Sequence, residues 1–560
     1  MTILAHACYN VGMYIRTTAR RNRDGTVARY VQLAHNYRDP ADGKCKARIL
    51  YNFGREEEVD KEALRRLARS IARFLGPEDE LELRPELDGR HGIRFLSSRP
   101  MGGAYLLDQL WTKLGIGEAV SSLLKKRRFD APVERALFAM VASRALAPMS
   151  KLAVEDWVSR EVFIPGLSEV AVQHLYRAMD FLLESREAIE REVFYRVADL
   201  LNLEVDLLYF DTTSTYFETE QEDGFRRRGH SKDHRPDLPQ IVVGFAVTRE
   251  GIPVRSWCWP GNTADMSVVS QVKRDLIGWK LGRVITVLDR GFASEDNLRC
   301  LQRAGGHYIV GEKMRGSERA EKAMARHGRY KKVKENLEVK EIVVGDGEAR
   351  VRYVLVHNPE EAKRDKLRRE QILKDLREAL AQLKGSEHTK RCCELASHPL
   401  YGRYLRILKD GRLKINMEVV REDEKLDGKF LVRTSDDTLS PEDIALGYKQ
   451  LVEVEDAFRC LKHTLDLRPI YHRLEDRIRS HVLLCWLALL LIRVTENKAG
   501  GTWPAVKRTL EAMHLGEFAG PGGRILQRTE TTAAQRHILQ SLNVKEPPLI
   551  LLAEPKTCQM

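Results

Sequence analysis

The sequence predicts an α/β protein, and three observations carry that expectation. Short apolar runs lead into carboxylates ("LLYFD", Leu207–Asp211, and "VITVLD", Val284–Asp289). Strand-like and helix-like periods alternate between residues 204 and 312. The 560-residue chain is 43% hydrophobic, enough for real cores. At this length three or four units are expected rather than one. A net charge of +12, with 31% of residues charged, favours a polyanionic partner, nucleic acid or an acidic membrane surface. The membrane alternative weakens on the longest apolar run, Val482–Ile492, which is about half a spanning helix and reads as a buried one. The N-terminus carries its charges after its apolar part, so it is no secretory signal. Nine scattered cysteines without a CxxC pair read as reduced thiols in a cytoplasmic protein.

Taken in order, residues 1–90 form a small β/α unit. A hairpin turns at Asp24-Gly25, "KARILYNFG" adds a third strand, and Leu64, Leu67, Ile71 and Phe74 share one face of a helix that Gly76-Pro77 ends. Arg16, Arg20, Arg21 and Arg23 on the hairpin read either as solvated charge or as a phosphate-gripping arm. Residues 91–203 are helical, suited to packing, dimerisation or DNA docking. Residues 204–312 hold strands at Leu207–Phe210, Ile241–Thr248, Pro253–Trp257 and Val284–Leu288, with "HYIVGEK" as a fifth. Helices fall at Met266–Gly278, after the capping material of Asn262 to Asp265, and at Ser294–Ala304. A strand-rich basic block, 313–435, interrupts this pattern as an insertion. Helices return over 436–505, and 506–560 is a C-terminal tail.

One aspartate at the end of a buried strand is ordinarily a turn residue or an N-cap. Two invite a search for a third acid. Ser440 and Asp443, with Pro441 at the first helical position, open a helix on which Tyr448, Leu451, Glu455, Phe458 and Lys462 fall at steps of three and four. That stripe puts Glu455 in the face expected to pack inward, with Glu453 and Asp456 off it. A buried, unpaired Glu needs a cation, a shifted pKa or a metal.

These residues carry a resemblance. Tyr448, Glu455 and Lys462 match the Y-x2-R-x3-E-x6-K signature of a large branch of bacterial insertion-sequence DDE transposases. Asp289-Arg290-Gly291-Phe292 is similar to the family's D-x-G-F/Y motif, and Asp211-Thr212-Thr213 to its hydrophobic-strand D-x-T motif. The ordered set covers about residues 205–495. It implies a ribonuclease-H-like catalytic core interrupted by the strand-rich insertion. It implies Asp211, Asp289 and Glu455 as catalytic acids holding two Mg²⁺ ions, which Mn²⁺ can replace, and Tyr448, Lys462 and Arg290 as DNA contacts. The implied partners are the element's terminal repeats and target DNA, bound by a homodimer, with no membrane. Two departures stand out: Leu451 occupies the signature's Arg position, and the insertion contains no Trp.

The chemistry agrees with the resemblance. Cutting a phosphodiester needs charge neutralisation, an activated water or 3′-hydroxyl and a stabilised leaving oxygen. Two hard cations roughly 3.5–4 Å apart supply these, and they take carboxylate oxygens. Other stretches carry less. "FRRRGHSKDHRPDLPQ" (Phe225–Gln240) reads as a DNA-contacting loop, because a zinc reading of His230 and His234 lacks Cys partners. Asn262 and Asp265 sit where they could approach the acids. Arg468, Arg473, Arg477 and His481 are either phosphate contacts or a solvated helix face. A transposase is the expected function. The alternatives are a ribonuclease-H-like nuclease that only hydrolyses and a domesticated DNA-binding protein.

Overall fold

The structure is a computed structural model that describes residues 13–21, 27–38, 45–60, 63–64, 93–125, 127, 132–201, 206–279, 284–345, 350–383, 388–520 and 523–555. The chain divides into two units: residues 1–98, 516–528 and 548–560, and the remainder. In the smaller unit β1 (Met13–Arg21), β2 (Val27–Arg38) and β3 (Cys45–Arg55) form an antiparallel sheet in sequence order. The β1–β2 hairpin is therefore formed. Arg23, the Asp24-Gly25 turn and most of the helix expected to follow, from Leu67 to Pro77, lie outside the described residues. A second sheet runs in the order β18 (Ile550–Pro555), β17 (Gly523–Arg528), β16 (His514–Gly520), β4 (Arg94–Pro100). The C-terminal stretch expected to be a tail is thus partly sheet.

The larger unit opens with six helices: α1 (Gly102–Lys113), α2 (Ile116–Leu124), α3 (Val133–Leu146), α4 (Lys151–Asp156), α5 (Val172–Glu184) and α6 (Arg186–Leu201). Five strands follow: β5 (Leu207–Tyr216), β6 (Gln240–Val247), β7 (Pro253–Pro260), β8 (Ile285–Leu288) and β9 (His307–Glu312). Their spatial order is β7-β6-β5-β8-β9, with β5, β8 and β9 parallel and β6 and β7 antiparallel. That order and those directions make a ribonuclease-H-like core. The strands are apolar on both faces because helices cover both. Leu208, Phe210, Leu288 and Val310 pack with Val268 and Val269 of α7 (Asp265–Ile277) and Leu298 of α8 (Glu295–Gln302).

The block expected as an insertion continues the same sheet. After α9 (Glu318–Ala325), strands β10 (Lys331–Lys334), β11 (Leu337–Val344), β12 (Val351–His357) and β15 (Lys429–Thr434) pair in turn, and β15 lies antiparallel to β9. Nine strands result, and the edge of β9 is no longer open to stray pairing. Between β12 and β15 come α10 (Pro359–Ala381), α11 (His388–Ser397), the β13 (Leu405–Ile407) and β14 (Leu413–Ile415) hairpin, and α12 (Met417–Glu424). Ile372, Leu373, Leu376, Tyr404 and Val420 give this stretch its own apolar cluster.

The sheet's other face receives α13 (Pro441–Lys449), α14 (Val452–His463) and α15 (Glu475–Ala499). Phe458 of α14 meets Phe245 of β6 edge-on, ring centroids 5.8 Å apart. Helix α15 has the length and apolarity of a membrane span, but 89% of its most apolar window is buried inside the protein. It is a core helix.

Candidate active site

The parallel ladder between β5 and β8 ends on the pair Phe210–Leu288, so Asp211 and Asp289 are the next residues on adjacent strands. Asp211 is not a turn residue: β5 runs on to Tyr216, and Asp211 lies opposite Phe245 of β6. Nor is Asp289 a cap, for its side chain makes no cap hydrogen bond to the short turn Arg290–Phe292. Both carboxylates lie in the sheet's row where the apolar ladder stops. Burial pushes the Asp211 carboxyl up to about 6. The Lys232 ammonium and the Thr212 amide N–H oppose that rise, while the charges of Asp265 and Asp289 add to it.

A third aspartate joins them. Asp265, expected as capping material, is the first residue of α7, and its carboxylate accepts from the Thr212 hydroxyl at 2.5 Å instead of capping the helix. Lys232 stands between the acids. Its Nζ is 3.7 Å from Asp211 Oδ1 and 3.3 Å from Asp265 Oδ2, and it donates to the Thr212 carbonyl at 2.7 Å. The loop after β5 is pinned to hold it there. The Lys232 amide donates to Ser214 Oγ at 2.7 Å, and the next residue, Asp233, is bound by Lys462 Nζ at 2.6 Å and by Arg468.

The helical side departs from expectation in four ways. First, Tyr448, Leu451 and Glu455 do not share one helix: α13 ends at Lys449, α14 begins at Val452, and Gln450 and Leu451 form a turn. The Tyr209 hydroxyl holds that break by donating to Gln450 Oε1 at 2.9 Å. Second, Glu455 is exposed. The inward stripe of α14 is Val454, Ala457, Phe458 and Leu461, so the expected stripe holds at Phe458 and fails at Glu455. Third, the Lys462 ammonium, expected on DNA, is 11% exposed and engaged with Asp233. Fourth, Glu453, expected to be solvated, pairs with Arg493.

Tyr448 still reaches the site. Its hydroxyl is 3.4 Å from Asp289 Oδ1, and burial together with the Asp289 and Glu455 charges pushes its phenol pKa up. Gly311 of β9 makes the room, since a Cβ there would stand 2.1 Å from the Tyr448 oxygen. Leu451 is buried, so the signature's Arg position has become packing. Arg290 is exposed directly beside Asp289. Of the later basic residues, Arg468 is held by Asp233, Arg477 by Asp180, and His481 is buried; Arg473 is exposed.

The ladder therefore sets Asp211 beside Asp289, and Lys232 and Asp265 stand close to Asp211. Glu455 is within electrostatic reach of Tyr448. Among the described residues no three His, Cys, Asp or Glu side chains gather closely enough to hold one metal ion. Sequence reasoning missed Lys232, Asp233 and Gly311. The "SKD" of the loop after the D-x-T strand was the available signal for the first two, and nothing marked Gly311.

Residues 207–491, more than half of the chain, match the family model described as the transposase DDE domain. Residues 15–81 match that of the IS1634 family transposase, N-terminal domain. No curated protein matches the chain. Among solved structures, a piggyBac transposase synaptic complex with hairpin DNA is similar over 74% of this chain and 82% of that one, at 10% identity and a TM-score of 0.34.

Proposed function

Because the chain belongs to the DDE transposase family, as a transposase of an insertion sequence, we propose that it cuts DNA at the element's terminal repeats and joins the 3′-hydroxyls to target DNA, working as a homodimer. The single observation that carries the mechanism is the register of β5 and β8, which sets Asp211 beside Asp289.

The donors fit a hard divalent cation such as Mg²⁺, with Mn²⁺ as substitute. They are carboxylates, one largely buried, with a single ammonium close by. Asp211 and Asp289 would hold the metal and Glu455 would complete the set. When bound, the metal supplies charge neutralisation at phosphate and a more acidic attacking water or hydroxyl. The chain's own groups do the rest. Tyr448 orients Asp289 through its hydroxyl. Arg290, exposed beside it, offers a guanidinium to a phosphate. The strands β1, β2 and β3 carry eight Arg or Lys and no Asp or Glu, a charge balance suited to gripping DNA.

The test uses the purified full chain with a duplex carrying the sequence that borders its gene, in Mg²⁺. Nicks that expose 3′-hydroxyls at the element ends, followed by joined products, are expected, and both should vanish in EDTA. Cutting without joining would favour the hydrolytic nuclease. Specific binding without cutting in either Mg²⁺ or Mn²⁺ would favour the DNA-binding protein.

A further inference from the structure

Among the described residues Lys232 is the one cation within 4 Å of Asp211 or Asp289, and nothing in the transposase signature accounts for it. Its ammonium stands beside the carboxylate that a divalent cation would need. Its side chain is 31% exposed, so an incoming anion can reach it. Its backbone is not free to drift, because its own amide is tied to Ser214 and Asp233 beside it is clamped by Lys462 and Arg468. A flexible four-carbon stem on an anchored backbone can swing its ammonium by several ångströms without unfolding the loop. The position that elsewhere in the signature carries an Arg is buried Leu451, so this site lacks that positive charge for a phosphate.

We propose that Lys232 couples metal loading to DNA binding: its ammonium neutralises Asp211 and Asp265 while DNA is absent and moves onto a DNA phosphate when DNA arrives, releasing Asp211 for a divalent cation. This rests on the reading of Asp211 as a metal-holding acid. An ammonium beside a carboxylate opposes the entry of a second cation, and a phosphate draws that ammonium away. By linkage, whatever factor DNA adds to metal affinity, metal adds to DNA affinity. The coupling keeps a nuclease-competent site metal-poor until its substrate is in place.

The experiment measures Mn²⁺ affinity of the full chain by electron paramagnetic resonance of the free ion, with and without the duplex that borders the gene. In the wild type, DNA should raise Mn²⁺ affinity by about tenfold or more. Lys232→Met should bind Mn²⁺ about tenfold tighter than wild type without DNA, and DNA should then add less than about threefold. Lys232→Arg, which keeps the charge, should keep most of the coupling. Thermal melting of each variant separates these effects from loss of fold, and Lys232→Arg carries the test if Lys232→Met does not fold. Unchanged or weaker DNA-free affinity in Lys232→Met with coupling intact overturns the proposal, as does a Lys232→Arg variant that folds like wild type but has lost the coupling. A wild type that binds no Mn²⁺ under either condition overturns the metal-site reading itself, a distinct failure.

Discussion

The two strand acids and the helical acid are positioned by different physics. Asp211 and Asp289 are placed by a parallel ladder whose register cannot slip by one residue without turning Phe210 and Leu288 out of the core. Glu455 is placed by a short helix whose buried stripe is Val454, Ala457, Phe458 and Leu461, so packing leaves its carboxylate outside. A sheet pre-organises what it carries. The helix leaves its acid exposed, and on the proposed reading metal and DNA would draw it in.

The largest expected effects test that difference directly. Asp211→Asn and Asp289→Asn should each lower end cleavage on the order of 10²-fold or more and weaken Mn²⁺ binding even without DNA. Glu455→Gln should lower cleavage on a similar scale while leaving DNA-free Mn²⁺ affinity near wild type. Equal loss of DNA-free binding in all three would erase the distinction between strand and helix. Calorimetry and a gel assay of nicking read both quantities.

Next comes the turn that separates the helices. Leu451→Arg should cost about 2–4 kcal/mol in denaturant unfolding, because the guanidinium must be buried or must drag the turn outward. A variant that stays as stable as wild type and binds DNA more tightly would mean that the position faces the substrate after all.

Smaller effects follow at the contact between α13 and β9. Gly311→Val should displace the Tyr448 ring, slow cleavage about tenfold and cost about 1–3 kcal/mol of stability, since a Cβ there would meet the phenol oxygen at 2.1 Å and the ring carbon bearing it at 2.9 Å. Tyr448→Phe should slow it only a few-fold, matching the ~0.5–1.5 kcal/mol of one long hydrogen bond. If Tyr448→Phe proved the more damaging of the two, the hydroxyl would have a role beyond orienting Asp289.

Much of this was legible in the sequence. Apolar runs leading into Asp211 and Asp289 announced buried strands, and the mixed order of five strands follows from where helices intervene. The Ser440 cap with Pro441 and Asp443 fixed the start of α13, where Ser440 Oγ accepts from the Asp443 amide at 3.1 Å. The helix stripe was misread because steps of three and four fit Tyr448 through Lys462 as well as they fit Val454 through Leu461. Long-range contacts such as Tyr209 to Gln450, across 241 residues, and Phe245 to Phe458 accompany the observed arrangement, and no local period encodes them. The same holds for Lys462. Its partner Asp233 sits on a loop whose path no local period encodes, and so the lysine read as a free hand for DNA. The basic block 313–435 looked separate because its charge texture differs, yet strand pairing is backbone chemistry and β15 joined β9 regardless.

The most direct measurement of the strand-acid site replaces Mg²⁺ with Fe²⁺ and lets locally generated hydroxyl radicals cut the polypeptide beside the bound metal. Without DNA, at an Fe²⁺ concentration high enough to load the site against the Lys232 ammonium, the fragments should end near Asp211 and near Asp289 and not near Glu455. With the duplex bordering the gene added, a further cut near Glu455 should appear. Fragments that end near neither strand acid, or near Glu455 alone, would contradict the claim that the sheet builds the metal site.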